Sequence, residues 1–250
     1  PGAGSQDSKM QHESTIRLGF FFGVIILMCL WEVLAPRRAL TVTRIRRWPG
    51  NLSLVVLNTL LLRILIPVTA TGIALFADSK SWGLFNVVET PQVLAIVLSV
   101  IALDGIIYLQ HVMFHALPIL WRLHRVHHAD LDLDVTSGSR FHPLEILISM
   151  GIKFVSILLL GVPATAVLIF EVLLNGTAMF NHANARLPLG LDRILRLLIV
   201  TPDMHRVHHS IEVDETDSNF GFNLPWWDRL CGTYPVFPYS KVATLGFLVK

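Results

Sequence analysis

The sequence is poor in charged residues: Asp, Glu, Lys and Arg together make up 15% of its 250 residues. Soluble domains carry about 25% charged residues, and the mean hydropathy of this chain is +0.59. The formal net charge of +2 is too small to indicate nucleic acid as a partner. The composition therefore predicts that much of the apolar surface faces lipid rather than water.

Cysteine is also scarce, and several catalytic signatures are absent. The two cysteines, Cys29 and Cys231, form no Cys-x-x-Cys motif, which excludes a thiolate zinc site or an iron–sulfur cluster. There is no His-Glu-x-x-His motif of a metalloprotease and no glycine-rich phosphate loop. The segment 137–139 (Ser-Gly-Ser) lacks the flanking residues of a nucleophile elbow.

Long apolar runs are abundant, and they predict an all-α membrane protein with about four to five transmembrane helices. The runs cover 16–34, 52–76, 91–117, 144–161 and 163–180. The last two are joined so closely that a membrane hairpin is expected over 144–180. We predict an N-terminal transmembrane anchor over 10–90 and a catalytic domain over 91–240, which includes this hairpin and a histidine-rich helical cap.

Five arginines lie between the first two apolar runs with no acidic residue among them: Arg37, Arg38, Arg44, Arg46 and Arg47. The positive-inside rule places this loop in the cytoplasm. Counting the spans from there puts every clustered histidine on the cytoplasmic face. The expected location is the inner membrane of a bacterium, or the endoplasmic reticulum if the source is eukaryotic.

The pentapeptide His-Arg-Val-His-His occurs twice, at 124–128 and at 205–209. Positions i, i+3 and i+4 of a helix share a face, so each copy presents three imidazoles together. His111 and His115 form a third group with helical spacing. Imidazole is a common neutral metal ligand, and one ion seldom takes more than six protein ligands, so these eight histidines indicate two metal ions.

Two further histidines are candidate ligands because they flank the predicted hairpin. His182 follows its last span, and His142 precedes its first, although a His-Pro step is also typical of a structural turn. Asp104 shares a helical stripe with His111, and a carboxylate inside a span is expected to be functional. It could orient a ligand histidine by accepting its ring N–H. The predicted metal ligands are His111, His115, His124, His127, His128, His142, His182, His205, His208 and His209.

The three histidine boxes in this order, together with Phe-His-Pro-Leu-Glu at 141–145, resemble the fatty acid hydroxylase/sterol desaturase superfamily. The segments 181–184, 219–221 and 227–230 are similar to its compact bacterial members. The resemblance implies an integral-membrane non-haem di-iron enzyme that uses O2 to hydroxylate or desaturate lipid chains or sterols. It also implies two iron ions bound by the boxed histidines, for which zinc can substitute in purified protein.

The resemblance carries further expectations for this chain. No haem domain is fused to it, so electrons are expected from a separate donor protein of cytochrome or ferredoxin type. Asn184 joins Asp104 as a candidate for orienting the ligands, and no catalytic residue is expected beyond the ligands themselves. The 210–240 segment is expected to cover the site.

Two other functions stay open. A metal-binding or metal-transport protein would need polar ligands strung through the spans, whereas these histidines gather at one end. A zinc-dependent lipid hydrolase would need a general base, for which Glu145 is the nearby candidate.

Overall fold

A computed structural model of the chain describes residues 3–88 and 90–235. Within those residues the chain forms helices and no strand, which confirms the predicted all-α fold. The twelve α-helices found there are α1 (Ala3–Leu34), α2 (Arg44–Leu65), α3 (Ala70–Ser79), α4 (Leu84–Val87), α5 (Gln92–Ala116), α6 (Pro118–His128), α7 (Pro143–Leu160), α8 (Ala164–His182), α9 (Leu189–Leu195), α10 (Pro202–His208), α11 (Val213–Thr216) and α12 (Trp226–Cys231).

Five segments of the described chain are long and apolar enough to cross a membrane. They are Glu13–Leu34 in α1, Arg44–Val87 over α2 to α4, Gln92–Ala116 in α5, and the helices α7 and α8. Their outer faces carry many exposed leucine, valine, isoleucine and phenylalanine side chains, as expected of surface that contacts lipid rather than water. The number of spans agrees with the prediction from the apolar runs.

Helix boundaries near the histidines follow local sequence signals. Pro202 occupies the first turn of α10, and the Thr201 hydroxyl accepts a hydrogen bond from the Met204 amide at 3.4 Å, so this Thr-Pro step marks the helix start. Helix α7 ends at Gly161, whose φ of 66° is favourable for glycine. A side chain at Gly83 would collide with the Gly161 backbone, so the two glycines allow this close approach.

Helices α7 and α8 form the predicted hairpin, with a link of three residues. Glu145 near the start of α7 contacts His124, and His182 at the end of α8 contacts His127, so both helices meet the histidines at the same end. The short helix α3 packs against both α7 and α8. A space is left between the membrane helices on the side of the histidines.

Most of the arginines at 37–47 are bound to carboxylates. Arg37 pairs with Asp203 at 2.8 Å, Arg38 with Asp132 at 3.2 Å and Arg44 with Glu32 at 3.2 Å. Arg47 is buried and binds both Asp130 and Asp134. These contacts give the arginines a structural role that the charge pattern did not predict, and the cytoplasmic orientation remains a prediction.

The division of the chain near residue 90 also remains a prediction. Helix α1 packs against α8, and α3 packs against α7 and α8, so the N-terminal helices are in direct contact with the histidine-bearing part of the chain. The last residues of the predicted catalytic domain, 236–240, lie outside the described residues.

Candidate metal centre

Nine of the ten predicted histidines converge into two adjacent groups, and all nine are buried. In each group the candidate ligand atoms lie within 4.8 Å of one another. The five-histidine group contains His111, His115, His124, His128 and His208. The four-histidine group contains His127, His182, His205 and His209.

The two copies of the repeated pentapeptide contribute to both groups in opposite ways. The first copy places His124 and His128 in the five-histidine group and the intervening histidine, 127, in the other. The second copy places His205 and His209 in the four-histidine group and the intervening histidine, 208, in the first. The rings of His128 and His209 stack where the groups meet, with centroids 4.3 Å apart.

His142 lies outside both groups. It is the N-cap residue of α7, and its Nδ1 accepts a hydrogen bond from the Leu144 amide at 3.1 Å. The structure therefore places it at the structural turn that a His-Pro step favours, and does not bring it to the other nine histidines.

Asp104 and Asn184 contact other partners than the histidine rings. Asp104 is buried in α5 and accepts hydrogen bonds from the side chains of Asn223 at 2.7 Å and Trp227 at 2.8 Å. Asn184 exchanges hydrogen bonds with the Arg38 backbone. Asp104 thus fixes the segment that follows α11, and Asn184 fixes the loop after α1.

An oxygen atom holds the Nδ1 of six of the nine histidines. The partners are Phe220 O for His111 (2.8 Å), Asp217 Oδ1 for His115 (3.1 Å), Glu145 Oε1 for His124 (2.6 Å), Arg140 O for His127 (3.2 Å), Ala178 O for His182 (2.8 Å) and Ser218 O for His208 (2.8 Å). A carbonyl or carboxylate oxygen accepts, so Nδ1 carries the proton and the Nε2 lone pair faces inward. Two of these carbonyls, of Ser218 and Phe220, belong to the 210–240 segment that was expected to cover the site.

The Nε2 atoms of several of these histidines lie so close together that a cation bound between them would stabilise the arrangement. Nε2 of His182 is 3.0 Å from Nε2 of both His127 and His205, and Nε2 of His111 is 3.1 Å from that of His124. Where both rings of such a pair carry the proton on Nδ1, no hydrogen is left to lie between the Nε2 atoms. Nε2 of His128 is buried without a hydrogen-bond partner among the described residues. This donor set fits metal ions, with outer oxygen atoms fixing each ring as metal-binding histidines require.

Burial favours the neutral form of four of these imidazoles, and the neutral form is the one that binds metal. Desolvation, followed by the repulsion of neighbouring imidazolium charges, lowers the pKa of four histidines outside the membrane helices well below its ordinary value: His127, His128, His205 and His209. Burial likewise lowers the pKa of Arg206 to about 10. These four histidines therefore resist protonation at neutral pH.

Metal-free protein is expected to lose stability as the pH falls below about 6.5, the ordinary histidine pKa. In that range the unfolded chain binds protons that the folded chain rejects, so acid favours unfolding; above it, stability is fully present. Each such histidine adds up to about 1.4 kcal/mol per pH unit to the slope of the free energy of unfolding against pH. Denaturation of metal-free protein in detergent, kept above about pH 5 so that most carboxylates stay ionised, measures this slope. A free energy of unfolding that does not change between about pH 5 and 6.5 would contradict this prediction.

Two carboxylates at the site were not predicted to bind the histidines. Glu145 accepts from His124, and Asp217 from His115, both in the five-histidine group. The sequence offered a signal for Glu145, because it is an acidic residue near the start of the predicted membrane hairpin, in what is the first turn of α7. Asp217 had none, since its approach depends on how the segment after α10 folds back.

A cavity of about 500 Å³ connects the five-histidine group with the membrane helices. His111, His124 and Glu145 line one part of it, and Lys153 and Glu171 line another. Apolar residues of α1, α2, α5, α7 and α8 supply much of the remaining wall, among them Leu18, Phe21, Leu62, Ile107, Phe114 and Leu174. Its volume is in the range of sites for small ligands, roughly 300–1,000 Å³.

Comparison with known proteins gives one family match, which covers residues 96–233 and is described as fatty acid hydroxylase. The chain is 30% identical over 162 residues to the ornithine lipid hydroxylase OlsE of Rhizobium tropici, covering 65% of this chain and 48% of the relative. It is 31% identical over 130 residues to the alkylglycerol monooxygenase of Homo sapiens, covering 51% and 27% respectively.

A further relative, the alkylglycerol monooxygenase of Danio rerio, is 30% identical over 158 residues, which cover 61% of this chain and 34% of the relative. The chain thus spans about half or less of the length of these relatives. No solved structure matches it.

Proposed function

The chain belongs to the fatty acid hydroxylase family, and on this basis we propose that it is a membrane-bound non-haem di-iron oxygenase that hydroxylates a lipid. The observation that carries the proposal is the position of His111 and His124. These two histidines of the five-histidine group line the cavity between the apolar helices. A lipid segment in the cavity would lie against the metal centre while remaining in apolar surroundings.

The nine grouped histidines would hold one iron ion in each group. When bound, two iron ions supply the activation of O2 and the oxidation of an unactivated C–H bond. His142 would act as a helix cap rather than as a ligand. Asp104 would act indirectly, because it holds the segment whose Phe220 carbonyl accepts from His111. Asn184 would fix the adjacent loop.

The residues around the histidines orient the rings and keep water away. The oxygen partners of Nδ1 fix six rings, and Phe141 stacks on His127 with centroids 4.5 Å apart and planes 10° apart. Phe114 lines the cavity next to the histidines and is 1% exposed. Such rigid, dry surroundings favour oxidation of a positioned substrate over side reactions with water.

The names of the relatives favour hydroxylation over desaturation, because one is a lipid hydroxylase and two are monooxygenases. The substrate is then a membrane lipid, and the histidines face the cytoplasm, where a separate cytochrome or ferredoxin can deliver electrons. The inner membrane of a bacterium, or the endoplasmic reticulum of a eukaryote, meets these conditions.

The two competing functions fit the site less well. A metal transporter needs ligands along a path across the membrane, whereas these nine gather at one end of the spans. A zinc-dependent hydrolase finds no support among the relatives, which are named as a lipid hydroxylase and monooxygenases.

Lipid mass spectrometry tests the function. Cells that produce the chain, grown under isotopically labelled O2, are expected to contain a lipid that has gained one labelled oxygen atom. Cells that produce His205→Ala, which loses a ligand of the four-histidine group, provide the control and should lack this product. A lipid that loses two hydrogens instead would indicate desaturation, and no O2-dependent change in any lipid would overturn the proposal.

A further inference from the structure

Helix α7 presents a polar stripe to the cavity, with one contact in each turn. Positions 145, 149 and 153 are spaced by four residues, which keeps them on one face of α7, and the carbonyl of Phe141 lies just before the helix begins at Pro143. Each position meets a partner from a different helix: Phe141 O with Asn58 (3.0 Å), Glu145 with His124 (2.6 Å), Ser149 with Gln110 (3.1 Å) and Lys153 with Glu171 (2.7 Å). All eight residues line the cavity. Within α7 the stripe therefore extends about 12 Å, from 145 to 153.

Three acceptor atoms in this stripe are buried and have no hydrogen-bond partner among the described residues. They are Oδ1 of Asn58, Oε1 of Gln110 and Oε2 of Glu145. Asn58 is 6% exposed and Glu145 is 4% exposed. A buried acceptor without a donor is unfavourable, and in native proteins an ordered water or a bound group supplies the donor.

The orientation of Asn58 follows from its partner. Its Nδ2 donates to the carbonyl of Phe141, which can only accept, so Oδ1 is the atom left over. Gln110 donates through Nε2 to the Ser149 hydroxyl, which leaves Oε1. The part of the cavity wall nearest the histidines thus offers acceptors.

The charges on the cavity wall favour an uncharged ligand segment. An anionic head group would face the carboxylate of Glu145, and a cationic one would lie beside groups built to hold metal cations. Farther along the stripe, the cations Arg17 and Lys153 are balanced by Glu171 and Glu13. Neither end of the stripe offers an uncompensated positive charge to a phosphate.

We propose that the cavity selects lipids that carry a neutral hydrogen-bond donor, a hydroxyl or an amide N–H, next to the carbon that is oxidised. Asn58, Gln110 and Glu145 accept from this donor and hold the adjacent carbon against the five-histidine group. A plain hydrocarbon segment leaves the three acceptors unpaired and binds poorly. The inference rests on the proposed function, because it assumes that this cavity is the substrate site.

Binding to zinc-loaded protein in detergent tests the inference without turnover. The first probe pair is a 1-O-alkylglycerol and its di-O-methyl ether of the same chain length, which lacks the donors. Wild-type protein is expected to bind the alkylglycerol roughly 10- to 100-fold more tightly than the ether. The second pair, a fatty acyl amide and its fully N-methylated form, measures the same preference for an N–H donor. Equal affinity within both pairs would overturn the inference.

Variants in the cavity wall test which side chains cause the preference for a ligand with a hydrogen-bond donor. Gln110→Met removes one acceptor at similar volume. It is expected to reduce the ratio of affinities between the donor-bearing probe and its methylated form by about 5-fold or more, in the probe pair that the wild-type protein discriminates better. Thr59→Val is the matched control: Thr59 also lines the cavity, but its hydroxyl already donates to Val55 O of its own helix. The ratio should stay at the wild-type value in this control, and an equal fall in both variants would contradict the assignment.

The two proposals fail in different ways. Donor-selective binding without any oxygenated product would leave the cavity's preference for a hydrogen-bond donor standing and overturn the oxygenase function. Oxygenation of both members of a probe pair at equal rates, with equal affinity, would leave the function standing and overturn the inference.

Discussion

Replacement of His208 by alanine is expected to remove metal from the five-histidine group and to abolish lipid oxidation. The His208 ring lies 4.5 Å from the ring of His111 and 4.7 Å from those of His115 and His128, so it contacts most of its group. Loss of a residue that only orients a ligand weakens metal binding about 10- to 100-fold, and loss of the ligand itself should exceed this range. Iron per chain, measured after anaerobic purification, is expected to fall from about two to about one or fewer.

His142→Ala is the matched control for this measurement. It removes an imidazole that lies near the site but in neither group, and it costs a helix cap worth about 1 kcal/mol. Iron content and activity should stay near the wild-type values. Loss of iron from His142→Ala would make His142 a tenth ligand, and full iron content with activity in His208→Ala would contradict the metal centre.

Replacement of Arg47 by methionine is expected to destabilise the protein by about 3–5 kcal/mol. Arg47 is 8% exposed, donates to both oxygens of Asp130 at 2.7 and 2.8 Å and binds Asp134 at 2.9 Å. Burial opposes the ionisation of Asp130, but hydrogen bonds from Arg47 and from Ser137 outweigh it and lower its pKa. Without the guanidinium, two buried carboxylates lose their compensating charge. Thermal unfolding in detergent should show a fall in Tm of roughly 10 °C.

Arg46→Met provides the comparison for Arg47→Met. Arg46 is the neighbouring arginine and is exposed, so its replacement is expected to change stability by no more than about 0.5 kcal/mol. Similar Tm values for the two variants would show that the buried ion pairs do not stabilise the fold.

The membrane architecture could be predicted from the sequence because it depends on properties of single segments. Apolar runs of sufficient length define the spans, and the Thr201-Pro202 step marks the start of α10. The spacing of the histidine boxes also predicted that they form one polynuclear site. These signals are local, since helix periodicity and the length of an apolar run are set by neighbouring residues.

The features that the sequence did not predict depend on contacts between distant segments. The spacing of the pentapeptide does not indicate that its i+3 histidine joins the other group, because this depends on how α6 and α10 face each other. Asp104 was expected to contact a histidine, yet it binds Asn223 and Trp227, more than a hundred residues away. The carboxylate of Asp217 reaches His115 only because the chain turns back after α10.

The reciprocal arrangement of the repeated pentapeptide interlocks the two histidine groups. Helix α6 supplies two rings to one group and one to the other, and the second copy, in α10 and the residue after it, does the reverse. Neither group can be assembled from one copy alone, so a movement that separates α6 from α10 opens both groups at once. The distance between the two groups is thereby set by the packing of two short helices, and a change in that packing would change the surroundings of any ion in either group.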